Sequence, residues 1–133
     1  MSGWGIARFA GIRIVIVEDN NDVRTTLASY LESKGAQVLA SCDAFQGIET
    51  IRDERPDLVL CDIGLPDSDG FQLLRWIRGL GPEGGGSVPV IAMTALGRQA
   101  SQERTLGAGF QAHLPKPFTP DQLLQVISAL LPH

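Results

Sequence analysis

Short β-branched runs alternate with stretches of helical periodicity along the whole of this chain, and few folds accept that alternation. Residues 12–17 read Ile-Arg-Ile-Val-Ile-Val and end in acids, which predicts a strand. Val23, Leu27, Tyr30 and Leu31 then recur at helical spacing over 22–33, and Gly35 supplies a stop. A short strand is expected at 37–40, followed by a helix over 44–53 carried by Phe45, Ile48 and Ile51. Pro56 breaks the chain before a third strand at 57–61, apolar enough to be buried on both faces. Phe71, Leu73, Leu74, Trp76 and Ile77 mark a helix over 70–79. Residues 81–87, Gly-Pro-Glu-Gly-Gly-Gly-Ser, form a loop by composition. Strands at 89–93 and 111–115 flank a weak, mostly polar helix at 99–106. Thr119 is placed to cap the last helix, with Pro120 at its first position and an apolar stripe through Leu123, Leu124, Ile127, Leu130 and Leu131.

Five strands alternating with five helices imply an α/β domain, a doubly wound (βα)5 three-layer sandwich around a parallel sheet. Pro115 cannot donate a ladder hydrogen bond, so the fifth strand belongs at an edge. That suits the flavodoxin-like strand order 2-1-3-4-5.

The bulk numbers narrow the function. With 44% hydrophobic and 20% charged residues, the 133-residue chain can build one packed core and is not a disordered segment. A net charge of −4 argues against a nucleic-acid surface, because few phosphates would be neutralised. Cys42 and Cys61 lie far apart and Cys61 sits in an apolar run, so no disulfide framework is expected and a reducing cytoplasm fits. Neither a signal peptide nor a membrane span is visible, and no membrane contact is expected. Residues 1–11, with Trp4, Ile6 and Phe9, precede the first strand and read as a linker or an appended segment; the domain is expected over 12–133.

Ligands of such sheets bind beyond the carboxyl ends of the strands, where the strand order reverses. Glu18 and Asp19 follow the first strand, Asp62 the third, Thr94 and Ala95 the fourth, and Lys116 with Pro117 the fifth. One rim would thus gather acids, a hydroxyl and an ammonium. Carboxylates so close repel one another unless a cation is present, and hard oxygen ligands suit Mg²⁺. One carboxylate beside the metal could then attack phosphorus, with lysine, hydroxyl and backbone N–H groups stabilising the transferred oxygens.

At these residues the chain resembles the receiver domain of two-component response regulators, from about Ile12 to Leu131. The resemblance rests on Val17-Glu18-Asp19-Asn20, on Asp62 through Gly70, on Ala92-Met93-Thr94-Ala95 and on Leu114-Pro115-Lys116-Pro117-Phe118. It implies that Asp62 is phosphorylated by a histidine kinase or a phosphotransfer histidine. Mg²⁺, or Mn²⁺ in its place, would be held by Asp19, Asp62 and the Gly64 carbonyl, with Glu18 acting through water. Thr94, Ala95 and Lys116 would bind the phosphoryl group, and the Lys116–Pro117 bond would be cis. Thr94 and His113 would form the switch, although His113 stands where the family often has Tyr or Phe. The alternative for His113 is a surface histidine at a strand with no switching role. Gly64 and Leu96 occupy positions that influence phosphoryl loss, and neither side chain can orient water, so a long-lived adduct is expected.

No output domain follows the last helix, so output is expected by protein contact through the fourth helix, fifth strand and fifth helix, or from a longer parent chain. The stretch 108–114 is similar to receivers fused behind histidine kinases in hybrid sensors. A stand-alone receiver is the alternative. Other signals are discounted. Asp67 and Asp69 read as a polar loop with Asp69 capping the third helix. The run 84–86 lacks the Lys-Ser/Thr of a phosphate loop. An aspartate-nucleophile phosphohydrolase would also use a strand-end aspartate and Mg²⁺, but it needs an acid where Gly64 stands. An interaction module that is never phosphorylated is the third reading.

Overall fold

The computed structural model describes residues 8–94 and 100–131, without the side chains of 100 and 101. Its elements are β1 (Arg13–Val17), α1 (Asn21–Ser33), β2 (Gln37–Ser41), α2 (Ala44–Glu54), β3 (Leu58–Asp62), α3 (Gly70–Gly79), β4 (Val90–Thr94), α4 (Ala100–Ala108), β5 (Ala112–Pro115) and α5 (Pro120–Leu130). The strands form one parallel sheet in the order β2-β1-β3-β4-β5, with β5 at an edge. This is the flavodoxin-like order.

The apolar runs are continuous because both faces of the sheet are covered. Side chains alternate across a strand, so each run divides between two layers. Val15, Val17, Val59, Cys61, Val90 and Ala92 face Ile51, Leu73, Leu74 and Ile77 of α2 and α3. Ile14, Ile16, Leu58, Leu60, Ile91 and Met93 face Leu27, Leu31, Leu123 and Ile127 of α1 and α5. Burial of the Cys61 thiol pushes its pKa up, as suits a small core residue.

Four helices begin on side-chain caps. Asn20, Asp43, Asp69 and Thr119 each accept a bond from the backbone N–H three residues on, and Thr119 with Gln122 completes a capping box. Local chemistry therefore fixes where these helices start, and the cap of α3 sits just beyond the rim.

Three places depart from the periodicity. Phe45, counted in the apolar pattern of α2, is 58% exposed and stacks on Trp76, with ring centroids 5.4 Å apart. Phe9, within the segment before the first strand, is buried among the α1 and α5 side of the core, and its N–H donates to the Lys34 carbonyl at 2.7 Å. The glycine run is a packed bend. A Cβ on Gly86 would stand 2.7 Å from the backbone N and O of Gly81 and 2.8 Å from the Ile77 carbonyl, so only glycine fits. Arg78 ties that bend to the sheet, donating to the carbonyls of Gly86 and Val88 and to the Gln111 side chain. Among the described residues no helix is long and apolar enough to cross a membrane.

Candidate functional site at the sheet rim

Parallel strands point the same way, so the chain leaves β1, β3, β4 and β5 at one rim. Glu18 and Asp19 follow β1, Asp62 closes β3, Thr94 closes β4 and Lys116 follows β5. Carboxylate oxygens of Glu18, Asp19 and Asp62 lie within 4.8 Å of one another. Asp19 is exposed, whereas Glu18 is only 1% exposed. The burial of Glu18 is compensated: Lys116 Nζ lies 2.6 Å from Oε1, and the Asn20 N–H donates to Oε2 at 3.1 Å. Desolvation pushes the Glu18 carboxyl above its usual pKa, against the lysine bond that pulls it down; the nearby Asp62 charge adds to the rise.

Asp62 occupies the centre of the set. Its Oδ1 is 3.7 Å from Lys116 Nζ and accepts the Gly64 N–H at 3.3 Å. Lys116 thus pairs closely with Glu18 and loosely with Asp62. Its backbone N–H donates to the Thr94 carbonyl at 2.7 Å, which locks the β5 end to β4, and the Lys116–Pro117 bond is cis. Gly64, the expected carbonyl ligand, is exposed beside Asp62.

Neighbouring loops hold this rim in place. Arg24 of α1 donates to the backbone carbonyls of Glu18 and Asp19 at 2.8 and 3.3 Å, fixing the acid-bearing turn. Asp67 accepts the N–H groups of Ala44 and Phe45, each at 2.9 Å, and so staples the loop after Asp62 to the start of α2. Burial pushes the Asp67 carboxyl up, but these N–H groups, with its own and that of Ser68, outweigh it and hold the pKa below the usual value.

Thr94 is buried, and its Oγ1 lies 3.1 Å from His113 Nε2. The other ring nitrogen, Nδ1, is 3.1 Å from Thr105 Oγ1 on α4, and that hydroxyl donates to the Gln102 carbonyl at 3.0 Å. His113 is half-buried, and burial lowers its pKa below the usual imidazole value. It is therefore hydrogen-bonded to a rim residue rather than set apart on the surface. Ala95 and Leu96, given phosphate and lifetime roles by the sequence, lie outside the described residues, as does Trp4.

Sequence reading found the acids, the hydroxyl and the lysine because each ends a strand. It missed Arg24, Asp67 as a staple, and Thr105. Arg24 is signalled only by its position one turn inside α1. Asp67 and Thr105 carry no local signal, because their partners are set by packing.

In chemical terms the rim offers a carboxylate held loosely by an ammonium, two further acids with oxygen donors for a hard cation, and a hydroxyl one strand away. The profile of the response regulator receiver domain family matches residues 14–128. An uncharacterised 14.6 kDa protein from Leptolyngbya boryana is 34% identical over 118 residues, covering 89% of this chain and 88% of that one. The response regulator MprA of Mycobacterium tuberculosis is 34% identical over 122 residues, covering 90% of this chain and 50% of MprA; the chain thus spans about half the length of that regulator. The receiver domain of the sensor histidine kinase PA1611 from Pseudomonas aeruginosa, solved with a magnesium ion coordinated in its active-site cleft, superposes with a TM-score of 0.81 at 36% identity, covering 91% and 98% of the two chains. Fold, rim and relatives agree: this chain belongs to the response regulator receiver domain family, the phosphoacceptor switches of two-component signalling.

Proposed function

We propose that Asp62 is the phosphoacceptor of this domain. The observation that carries the assignment is its place beside Lys116, 3.7 Å away, within the cluster it forms with Glu18 and Asp19. Its carboxylate oxygen would attack the phosphorus of a phosphohistidine; the P–O bond forms, the P–N bond breaks, and the departing imidazole takes a proton from solvent. Lys116 would neutralise the transferred oxygens, and Thr94 would donate its hydroxyl proton to one of them.

The donor set fits a small hard cation. Asp19, Asp62 and the Gly64 carbonyl would hold Mg²⁺, with Mn²⁺ as a substitute. Glu18, buried and held by Lys116, is the acid least free to bind directly, which supports a role through water. When bound, the metal would neutralise charge on the phosphoryl oxygens.

Phosphoryl would come from a histidine kinase or a histidine phosphotransfer protein in the cytoplasm, and the output face would be α4, β5 and α5. Likeness to the PA1611 receiver supports a kinase-fused parent chain. The domain would catalyse its own loading and release, without turning over a small substrate. The test is incubation with acetyl phosphate and Mg²⁺. A phosphoryl adduct is expected that disappears with a chelator and forms more slowly in Asp19→Asn. Equal labelling with and without chelator would contradict the metal's part in the site.

A further inference from the structure

The hydrogen-bond chain through His113 has a direction. Gln102 O is an acceptor only, so the Thr105 hydroxyl proton, at 3.0 Å, belongs to it. The Thr105 oxygen is then left to accept, and His113 Nδ1, 3.1 Å away, must carry the proton that fills it. A neutral imidazole protonated on Nδ1 has a bare Nε2, which takes the proton of the Thr94 hydroxyl at 3.1 Å. Burial depresses the His113 pKa, so this neutral form is the one present at neutral pH. Thr94 has a single hydroxyl proton, and in this arrangement His113 holds it.

Resting on the assignment of Asp62 as phosphoacceptor, we infer that His113 is a positioning residue that withholds the Thr94 proton from the site, so that phosphoryl loading releases that proton to the phosphoryl group and His113 takes up one from solvent at Nε2. All the bonds then survive with one reversed. The imidazolium donates from Nε2 to Thr94 and from Nδ1 to Thr105, Thr105 still donates to Gln102, and Thr94 donates to the phosphoryl oxygen. A shift of the ring proton from Nδ1 to Nε2 without uptake would instead turn the Thr105 hydroxyl towards Nδ1 and leave the Gln102 carbonyl without it.

The surroundings leave the ring's protonation to these bonds. Charged groups on the neighbouring elements are Glu103 and Arg104 on α4, Lys116 beyond β5, Asp62 on β3, Asp121 on α5, Asp69 at the start of α3, and Arg75 and Arg78 on α3, of which Arg78 donates to the Gln111 side chain. Arg104 lies over the Phe71 ring, 4.1 Å from its centroid, and Lys116 faces Glu18. Among the described residues none of these forms an ion pair with the imidazole.

Ring ¹⁵N and ¹³C shifts of His113, titrated with Mg²⁺ alone and with Mg²⁺ plus beryllofluoride, test the inference. The expected result is the Nδ1–H tautomer without beryllofluoride, with a pKa below the ordinary value of about 6.5, and a pKa above that value with it. A histidine that merely swings into solvent would stop near about 6.5. In Thr94→Val the rise should be much smaller, because the hydroxyl relay is gone and only the direct pull of the phosphoryl charge remains. An Nε2–H tautomer in the free protein, an unchanged pKa, a pKa that only returns to the ordinary value, or an equal rise in Thr94→Val overturns it. Beryllofluoride binding, read separately from ¹⁹F signals and absent in Asp62→Asn, tests the phosphoacceptor assignment itself; failure to bind sinks that assignment, while the free-state tautomer still judges the relay.

Discussion

Lys116→Met is expected to lower the folding stability of the unphosphorylated domain by about 3 kcal/mol at neutral pH, the low end for removing one partner of a buried ion pair. The low end applies because the Lys116 side chain is 25% exposed while Glu18 is 1% exposed. Methionine keeps much of the aliphatic stem, so the loss reports on charge more than on packing. Without the ammonium, Glu18 loses the partner that pulls its pKa down, and burial raises it further. A carboxyl whose folded pKa exceeds its unfolded value favours the folded state at pH below the unfolded value, and that favour is lost as pH rises through the folded pKa. The deficit of Lys116→Met relative to wild type should therefore be large at neutral pH and shrink as the pH falls towards the ordinary glutamate value of 4.5. Urea unfolding at both ends of that window measures it. An equal deficit at both would show that packing, not the buried charge, makes the difference.

Gly70→Ala should damage the site without touching a charged group. A Cβ at Gly70 would stand 3.0 Å from the Asp62 carbonyl oxygen, the Ile63 Cα and the Ile63 Cδ1. Two of these are backbone atoms that cannot rotate away. The Gly70 N–H also closes the loop by donating to the Ile63 carbonyl at 2.8 Å, so α3 starts directly against the end of β3. The added methyl is expected to cost about 1–3 kcal/mol of stability, as overpacking does. It should also slow adduct formation by about tenfold, short of the roughly hundredfold that a 1 Å misplacement costs, because the end of β3 must give way around Asp62. Thermal unfolding and the rate of labelling by acetyl phosphate measure the two effects. A labelling rate within about twofold of wild type would show that the contact does not position Asp62.

The main lines of this fold can be read from residues because its central strands are buried on both faces. Such strands must be continuous apolar runs, as in Ile14–Val17, Leu58–Cys61 and Val90–Met93, and their order follows from the parallel crossovers and from Pro115 at an edge. The rim was legible for the same reason: in a parallel sheet, whatever follows each strand shares one end. What periodicity could not supply was the choice of partners. Phe45 fits the helical pattern of α2, yet its ring is 58% exposed against Trp76. Gly86 looks like part of a flexible linker, yet it is required by contact with Gly81 and Ile77. Asp67 bonds Ala44 and Phe45 more than twenty residues away in sequence. His113 was visible as a departure from the usual aromatic, but its two hydroxyl partners come from β4 and α4, and only the packing of those elements reveals them.

Everything functional here depends on Asp62 being the residue that takes the phosphoryl group. The direct measurement is mass spectrometry of the domain after incubation with Mg²⁺ and acetyl phosphate, with peptide mapping and the Asp62→Asn variant in parallel. The account predicts one phosphoryl adduct per chain, tolerant of acid and released by base or hydroxylamine, on the peptide that contains Asp62 and absent from Asp62→Asn. Phosphoryl found on another residue, or undiminished in Asp62→Asn, would contradict it.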